Sequence, residues 1–290
     1  MTRLPRPADW TDEEDRLGFF GPASVTWRVH ADPSFSVGGL RALLLQALHP
    51  VAMDGVARFS GAFREEPWPR LIRTAAYVDT ITFGTRTEAV RAVAQVRGIH
   101  RRLGGTEETT GRTYRVDDPD LLLWVHCCEV DSLLTAARRG GLDLSDDDAD
   151  GYVAEQVTAA ELIGVQRADV PASVAELADY FERIRPQLAA TTAARDAYRL
   201  VVLPPMPTWV RYLTPAQPAW GGLAVLSVAL LPSWARRLYS LPGFALTDAA
   251  ATAAMHAFRQ ATLRLPRAAR RSPIVWAGID RVAEPAPLSA

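Results

Sequence analysis

The stretch DPDLLLWVHCCEVDSLLTAARRGG, residues 118–141, sets the fold class. Asp118 is suited to cap a helix N-terminus, Pro119 fits the first helical turn, and the paired glycines 140 and 141 end the run. Within it Leu122, His126, Val130, Leu133 and Ala137 recur at spacings of four and three, one apolar stripe of helical period. The pattern repeats outward in both directions. Upstream, Thr85-x-x-Glu88 forms a capping box for a helix ending at Gly104-Gly105, with the stripe Ala89, Val93, Val96, His100 and Leu103. Before it lie a helix from Arg70 to Phe83 closed by Gly84, and two segments, Gly39–His49 and Pro50–Phe59, that meet at His49 because Pro50 disfavours helical geometry for its predecessor. Downstream, helices are expected at Ser145–Gly164, Ser173–Thr191, Thr192–Val202, Gln217–Leu231, Ser233–Tyr239 and Thr247–Leu265. The fold class is all-α. With no internal repeat and no flexible linker, residues 1–290 form a single multi-helix domain, with a core over 17–265 and a basic, then proline-rich tail over 267–290 lying on the surface.

The composition excludes several chemistries. The chain has 290 residues, 48% hydrophobic and 22% charged with a net charge of −1, so neither disorder nor a nucleic-acid footprint is indicated. Every one of the 32 cationic residues is arginine. Without lysine there is no phosphate-loop lysine, no Schiff base with pyridoxal phosphate and no protein-kinase lysine. The two cysteines, Cys127 and Cys128, are adjacent and fit neither a disulfide framework nor metal spacing. No secretory signal is evident, so a cytoplasmic location is expected. Ala219–Leu231 is too short to span a bilayer and reads as a core helix, with Trp220, Trp234 and the pair Arg236-Arg237 suggesting peripheral membrane contact as the alternative.

Histidine is scarce, and of His30, His49, His100, His126 and His256 two lie within apolar stripes. Burial disfavours imidazolium, so His100 and His126 would stay neutral with a lone pair available to a metal. Each can equally be a core histidine bonded to a carbonyl, the reading kept for His30 and His256. Neither a Glu-x-x-His pair nor His-Glu-x-x-His occurs; His126-x-x-Glu129 has the reversed order. Arg70, Arg73, Thr74 and Tyr77 share one face of their helix, able to receive carboxylates or donate to oxygen. Because Leu71, Ala75 and Val78 on the opposite face must also pack, Arg73 and Thr74 are expected to lie deep.

The ordered series Gln46-Ala-Leu-His49-Pro50, Val56, Phe63, Pro67-Trp-Pro-Arg70-x-x-Arg73-Thr74, Thr82-Phe83-Gly84-Thr85, Val96-x-x-x-His100, Gly104, Tyr114, Asp118-Pro119 and Leu123-Trp-Val-His126 resembles the oxygenase MpaB family, related to the latex-clearing rubber oxygenase. The resemblance covers roughly residues 17–240. It implies a globin-like helical core holding haem b, and an oxidoreductase that uses dioxygen on an unsaturated, hydrophobic, isoprenoid-like or natural-product substrate, possible C=C cleavage included. By order it places the proximal iron ligand at His100, with His126 as rival, and catalytic or cofactor-facing roles at Arg70, Arg73 and Thr74. Tyr77, His126 and His49 fall around the cofactor. The family's distal lysine is replaced here by Arg73, which can hydrogen-bond oxygen but does not readily ligate iron. Two other readings stand beside this one: a non-catalytic haem or lipid carrier, and a non-haem metal enzyme using His49, His100, His126 and Glu129. The expected partners are a small hydrophobic substrate and dioxygen, with no nucleic acid; the oligomeric state is open, a homo-oligomer included.

Overall fold

The computed structural model describes residues 4–5, 7–59, 67–107, 111–241 and 245–283; the motif residue Phe63 and the last seven residues lie outside these. In chain order the helices are α1 (Asp12–Leu17), α2 (Val25–Ala31), α3 (Phe35–Gln46), α4 (Pro50–Phe59), α5 (Pro67–Phe83), α6 (Arg86–His100), α7 (Pro119–Arg139), α8 (Asp146–Ile163), α9 (Val174–Ile184), α10 (Thr192–Val202), α11 (Thr208–Leu213), α12 (Ala216–Ala229), α13 (Ser233–Leu238), α14 (Ala245–Leu263), α15 (Arg267–Arg270) and α16 (Pro273–Ala283). The class is all-α, interrupted by one antiparallel pair that the sequence reading did not contain, β1 (Gly104–Thr106) with β2 (Thr113–Arg115), Gly105 opposite Tyr114.

The pair α3 and α7 makes the most extensive contact in the molecule. Gly38 lets the two backbones close: a Cβ there would fall 2.9 Å from Leu133 Cδ2 and 3.0 Å from the Ser132 carbonyl. Further along, Arg41 donates to Asp131 and Ser132, both at 2.7 Å, and the Trp124 indole donates to the Gln46 carbonyl at 3.0 Å. Contacts that rise along α3 as they fall along α7 make the pair antiparallel. The main core spreads from this seam, with Leu44, Leu45, Trp124, Cys128, Leu133 and Tyr152 fully buried. Both cysteines are free and enclosed, and burial pushes their thiols up, so they are inert packing residues.

Helices α5 and α6 form a hairpin folded at Gly84, where a Cβ would meet the Thr80 carbonyl at 2.5 Å. The expected capping box is present, Thr85 accepting from the Glu88 amide at 3.1 Å and Glu88 from the Thr85 amide at 2.8 Å. Several motif residues turn out to be architectural. Tyr114 is buried and donates to Asp54 at 2.7 Å, Asp118 accepts from the Arg115 amide at 3.0 Å, and Gly104 leaves room for the Tyr114 carbonyl.

The segment after Arg267 corrects the expected loose tail. Helix α16 packs on α5, Val275 is fully buried with Trp27 and Phe83, and Gly278 sits where a Cβ would fall 2.5 Å from the Phe83 carbonyl. Just before it, Arg271 reaches buried Asp79 on α5 at 2.5 Å and the His30 carbonyl at 2.9 Å, while Ser272 donates to the other Asp79 oxygen at 2.6 Å. Pro273 starts a helix here, as proline can in a first turn, rather than preventing one. Removing one partner of such an enclosed pair strands the other's charge. Arg271→Ala is therefore expected to lower unfolding stability by about 3–5 kcal/mol, measured by urea denaturation.

Candidate functional site

An apolar cavity of ≈ 120 Å³ lies between α3, α4, α5, α10 and α12. Its wall includes Leu43 and Gln46 of α3, Met53 of α4, Leu200 of α10 and Trp220 of α12, and α5 contributes Arg70, Leu71 and Thr74. The start of α5 is fixed by Trp68, whose indole donates to the Pro205 carbonyl at 2.7 Å and stands edge-on to Trp220 at 4.7 Å. Arg70 therefore meets a largely hydrocarbon space, and burial together with the neighbouring Arg73 charge pulls its pKa below the usual guanidinium value.

Arg73 and Thr74 do not lie deep: both are exposed, and Ile72 between them and Leu71 is 65% exposed. The opposite face of α5 does pack, but only toward its C-terminal half, where Asp79, Ile81, Thr82 and Phe83 are buried. The first turns of α5 instead form an open edge. Because α6 runs back from Gly84, its last turn, carrying Ile99 and His100, returns to the same end of the hairpin as Arg70 and Arg73. Ile99 is 49% exposed there.

The histidines separate into two kinds. His30 is fully occupied, its ring nitrogens 2.8 Å from the Thr82 hydroxyl and 3.0 Å from the Tyr152 hydroxyl, and burial lowers its pKa to about 3. His49 is also occupied: its Nδ1 accepts from the Ala52 amide at 3.3 Å, capping the start of α4, and its ring stands 5.9 Å from Trp124. His49 is thus committed to the junction and is not on the cavity wall. His256 is exposed on α14.

By contrast, His100 and His126 make no hydrogen bond among the described residues. His100 Nδ1 is buried and without a partner, and burial, opposed by Asp117, lowers the pKa of the ring. His126 is surrounded by protein yet keeps accessible surface, as a side chain facing an internal gap does, and burial lowers its pKa to about 4. Both rings are neutral at pH 7. One turn along α7, Glu129 shows the same combination; burial raises its carboxyl to about 7, and burial, with the Glu129 charge adding to it, raises the phenols of Tyr77 on α5 and Tyr152 on α8. The sequence reading gave Glu129 a place only in the alternative non-haem metal centre, through the spacing His126-x-x-Glu129, and not beside a haem. No three His, Cys, Asp or Glu side chains converge as metal ligands among the described residues, so His49, His100, His126 and Glu129 are not a preformed non-haem centre.

The site thus combines a hydrocarbon-lined cavity edged by Arg70 with two neutral imidazoles, His100 on α6 and His126 on α7, that make no hydrogen bond among the described residues. The family model described as ER-bound oxygenase mpaB/B′/rubber oxygenase, catalytic domain, matches residues 27–263, and the chain belongs to that family. No curated protein and no solved structure matches it. No described helix is long and apolar enough to cross a membrane.

The buried Glu129 gives a pH signature. Its folded value, about 7, stands above its ordinary value of 4.5, so the native state binds the extra proton between the two. The resulting cost grows as pH rises through that window and is absent below it. In ligand-free protein, Glu129→Gln should gain stability over the parent from pH 5 to pH 8, on the order of 2 kcal/mol after allowing for partial exposure, read by urea unfolding at the two pH values.

Proposed function

We propose that this chain is a haem b-dependent oxygenase that uses dioxygen on an unsaturated, hydrophobic substrate of isoprenoid or natural-product type. The observation that carries the reading is the contrast among the buried histidines: His30 and His49 are spent on hydrogen bonds, whereas His100 retains a buried nitrogen with no partner. An orphaned imidazole nitrogen in an apolar surrounding costs free energy until something occupies it, and a neutral imidazole is the donor that haem iron takes. Haem b, when bound, supplies the activation of dioxygen that no side chain provides.

The residues then divide the remaining work. His100 would be the residue that holds the haem iron, with His126 as its rival. Arg70 and Arg73, at the same end of the hairpin, carry charge suited to propionates, and their exposed edge suits a macrocycle rim that reaches solvent. Arg73 and Thr74 offer N–H and O–H donors toward developing negative charge on oxygen. The cavity lined by Leu43, Met53 and Leu200 excludes water and accepts a hydrocarbon chain. Glu129, protonated below about pH 7, and Tyr77 beside it are positioned to hold a proton near the reacting centre. The wider family match supports oxygenase chemistry, and the replacement of the family lysine by Arg73 supports a hydrogen-bonding rather than ligating role at that position.

Haemin titration of the purified protein is expected to give a Soret band, with His100→Ala weakening binding by about tenfold or more and His126→Ala changing it far less. Absence of a band in the parent, or a parent-like titration for His100→Ala, overturns the assignment. Dioxygen uptake with a prenylated test compound separates turnover from carriage: haem binding without uptake would make this a carrier.

A further inference from the structure

Four of the most exposed large apolar side chains fall within eleven residues: Leu203, Trp209, Tyr212 and Leu213, the last 80% exposed. Helix α11 buries none of its six residues, and Val225 on the following helix α12 is 66% exposed. A patch of this kind on one short segment is not incidental surface. Of Trp220, Trp234, Arg236 and Arg237, the residues expected from sequence to touch a membrane, only Arg237 is exposed. Trp220 donates into the Val201 carbonyl at 2.8 Å, Trp234 packs on Phe181, and Arg236 is buried.

Charge identifies the occupant. From Ala197 to Thr247 there is no aspartate or glutamate, in a chain with 33 of them; Arg199 and Arg236 pair with the flanking Asp196 and Asp248, whereas Arg211 and Arg237 make no ion pair among the described residues. Arg211 sits between Trp209 and Tyr212 on the exposed helix, Arg237 is exposed on α13, and Arg73 is exposed at the start of α5. A two-fold pairing of copies through this face would bring the arginines of two identical faces together with no carboxylate from residues 197–247 to compensate. Aromatic rings, aliphatic tips and arginine together, without acidic residues, instead match the interface of an anionic bilayer.

We propose that α11 with its flanking loop, Leu203 to Leu213, is a peripheral docking surface for anionic membranes. Trp209, Tyr212 and Leu213 enter the headgroup boundary while Arg211 meets lipid phosphate. The same loop leads to the cavity, because Pro204 lines it and the Pro205 carbonyl holds Trp68 at its edge. A docked molecule would therefore draw a greasy substrate from the lipid phase without passing it through water. That purpose rests on the proposed function; the docking does not.

Vesicle flotation with the full chain tests it, using phosphatidylcholine vesicles with or without about one-third phosphatidylglycerol. The chain should float with the anionic vesicles and not with the neutral ones. Trp209→Ser with Leu213→Ser should cut the bound fraction more than about tenfold, and Arg211→Gln about fivefold, with the latter loss shrinking at high salt. Because these side chains are exposed, thermal unfolding of the variants should match the parent, separating lost docking from lost folding. Failure of the parent to float, or unchanged flotation of the double variant, overturns the proposal. So does a parent dimer, seen by light scattering, that the double variant converts to monomer, which would make the patch a contact between copies. Haemin titration of the same double variant should remain parental, so failure here and failure of the haem reading are distinguishable.

Discussion

The close approach of α3 and α7 is the constraint on which the rest depends. Gly38 removes the one side chain that would hold the helices apart, and Arg41 then bridges from α3 to Asp131, Ser132 and the Leu230 carbonyl. With the seam closed, Trp124 fills the centre of the core, so the next turns of α7 direct His126 and Glu129 away from it toward α5 and α8. One face of α7 thus builds the core and another furnishes polar groups with nothing to bond. The two duties are compatible because a helix of 21 residues offers distinct stripes along its length.

That division explains what the sequence revealed and what it hid. The stripes through His100 and His126 were visible as periodicity, and α7's stripe is buried as written, with Leu122, Val130, Leu133 and Ala137 enclosed. Periodicity does not report what a face meets, however. Arg73 and Thr74 have the spacing of an inner face, yet both are exposed, because the buried side chains of α5 lie toward its C-terminal end. The 3-residue strands are too short to display an alternating pattern. Helix α16 was hidden by the prolines around it, although Pro273 occupies the helical position where proline is tolerated. Helix α12 is apolar on nearly every side, so hydropathy could not say whether it was covered, and the exposed aromatics sit on the shorter α11 before it.

His30 and His49 show the same limit from the other direction. His30 was read from sequence as a core histidine, and its partners prove to be the Thr82 and Tyr152 hydroxyls rather than a carbonyl; His49 was read as falling around the cofactor, and its bond from the Ala52 amide ties it to the helix junction instead. Those partners lie on helices distant in sequence or depend on the local turn at Pro50. The family relationship established by the match over residues 27–263 bears on the whole arrangement, and it is the hydrogen-bond bookkeeping that divides the matching residues between scaffold and site.

The contact between Arg271 and Asp79 spans 192 residues, and the reciprocal bonds between Arg16 and Arg281 span 265. During synthesis on the ribosome, α5 consequently lacks this neighbour until residues 271–281 have emerged. The hairpin that bears Arg70, Arg73 and His100 is completed late, after the α3–α7 seam can already have formed. Nascent chains would thus pass through a stage with an assembled core and an unlatched hairpin, before α16 closes on α5.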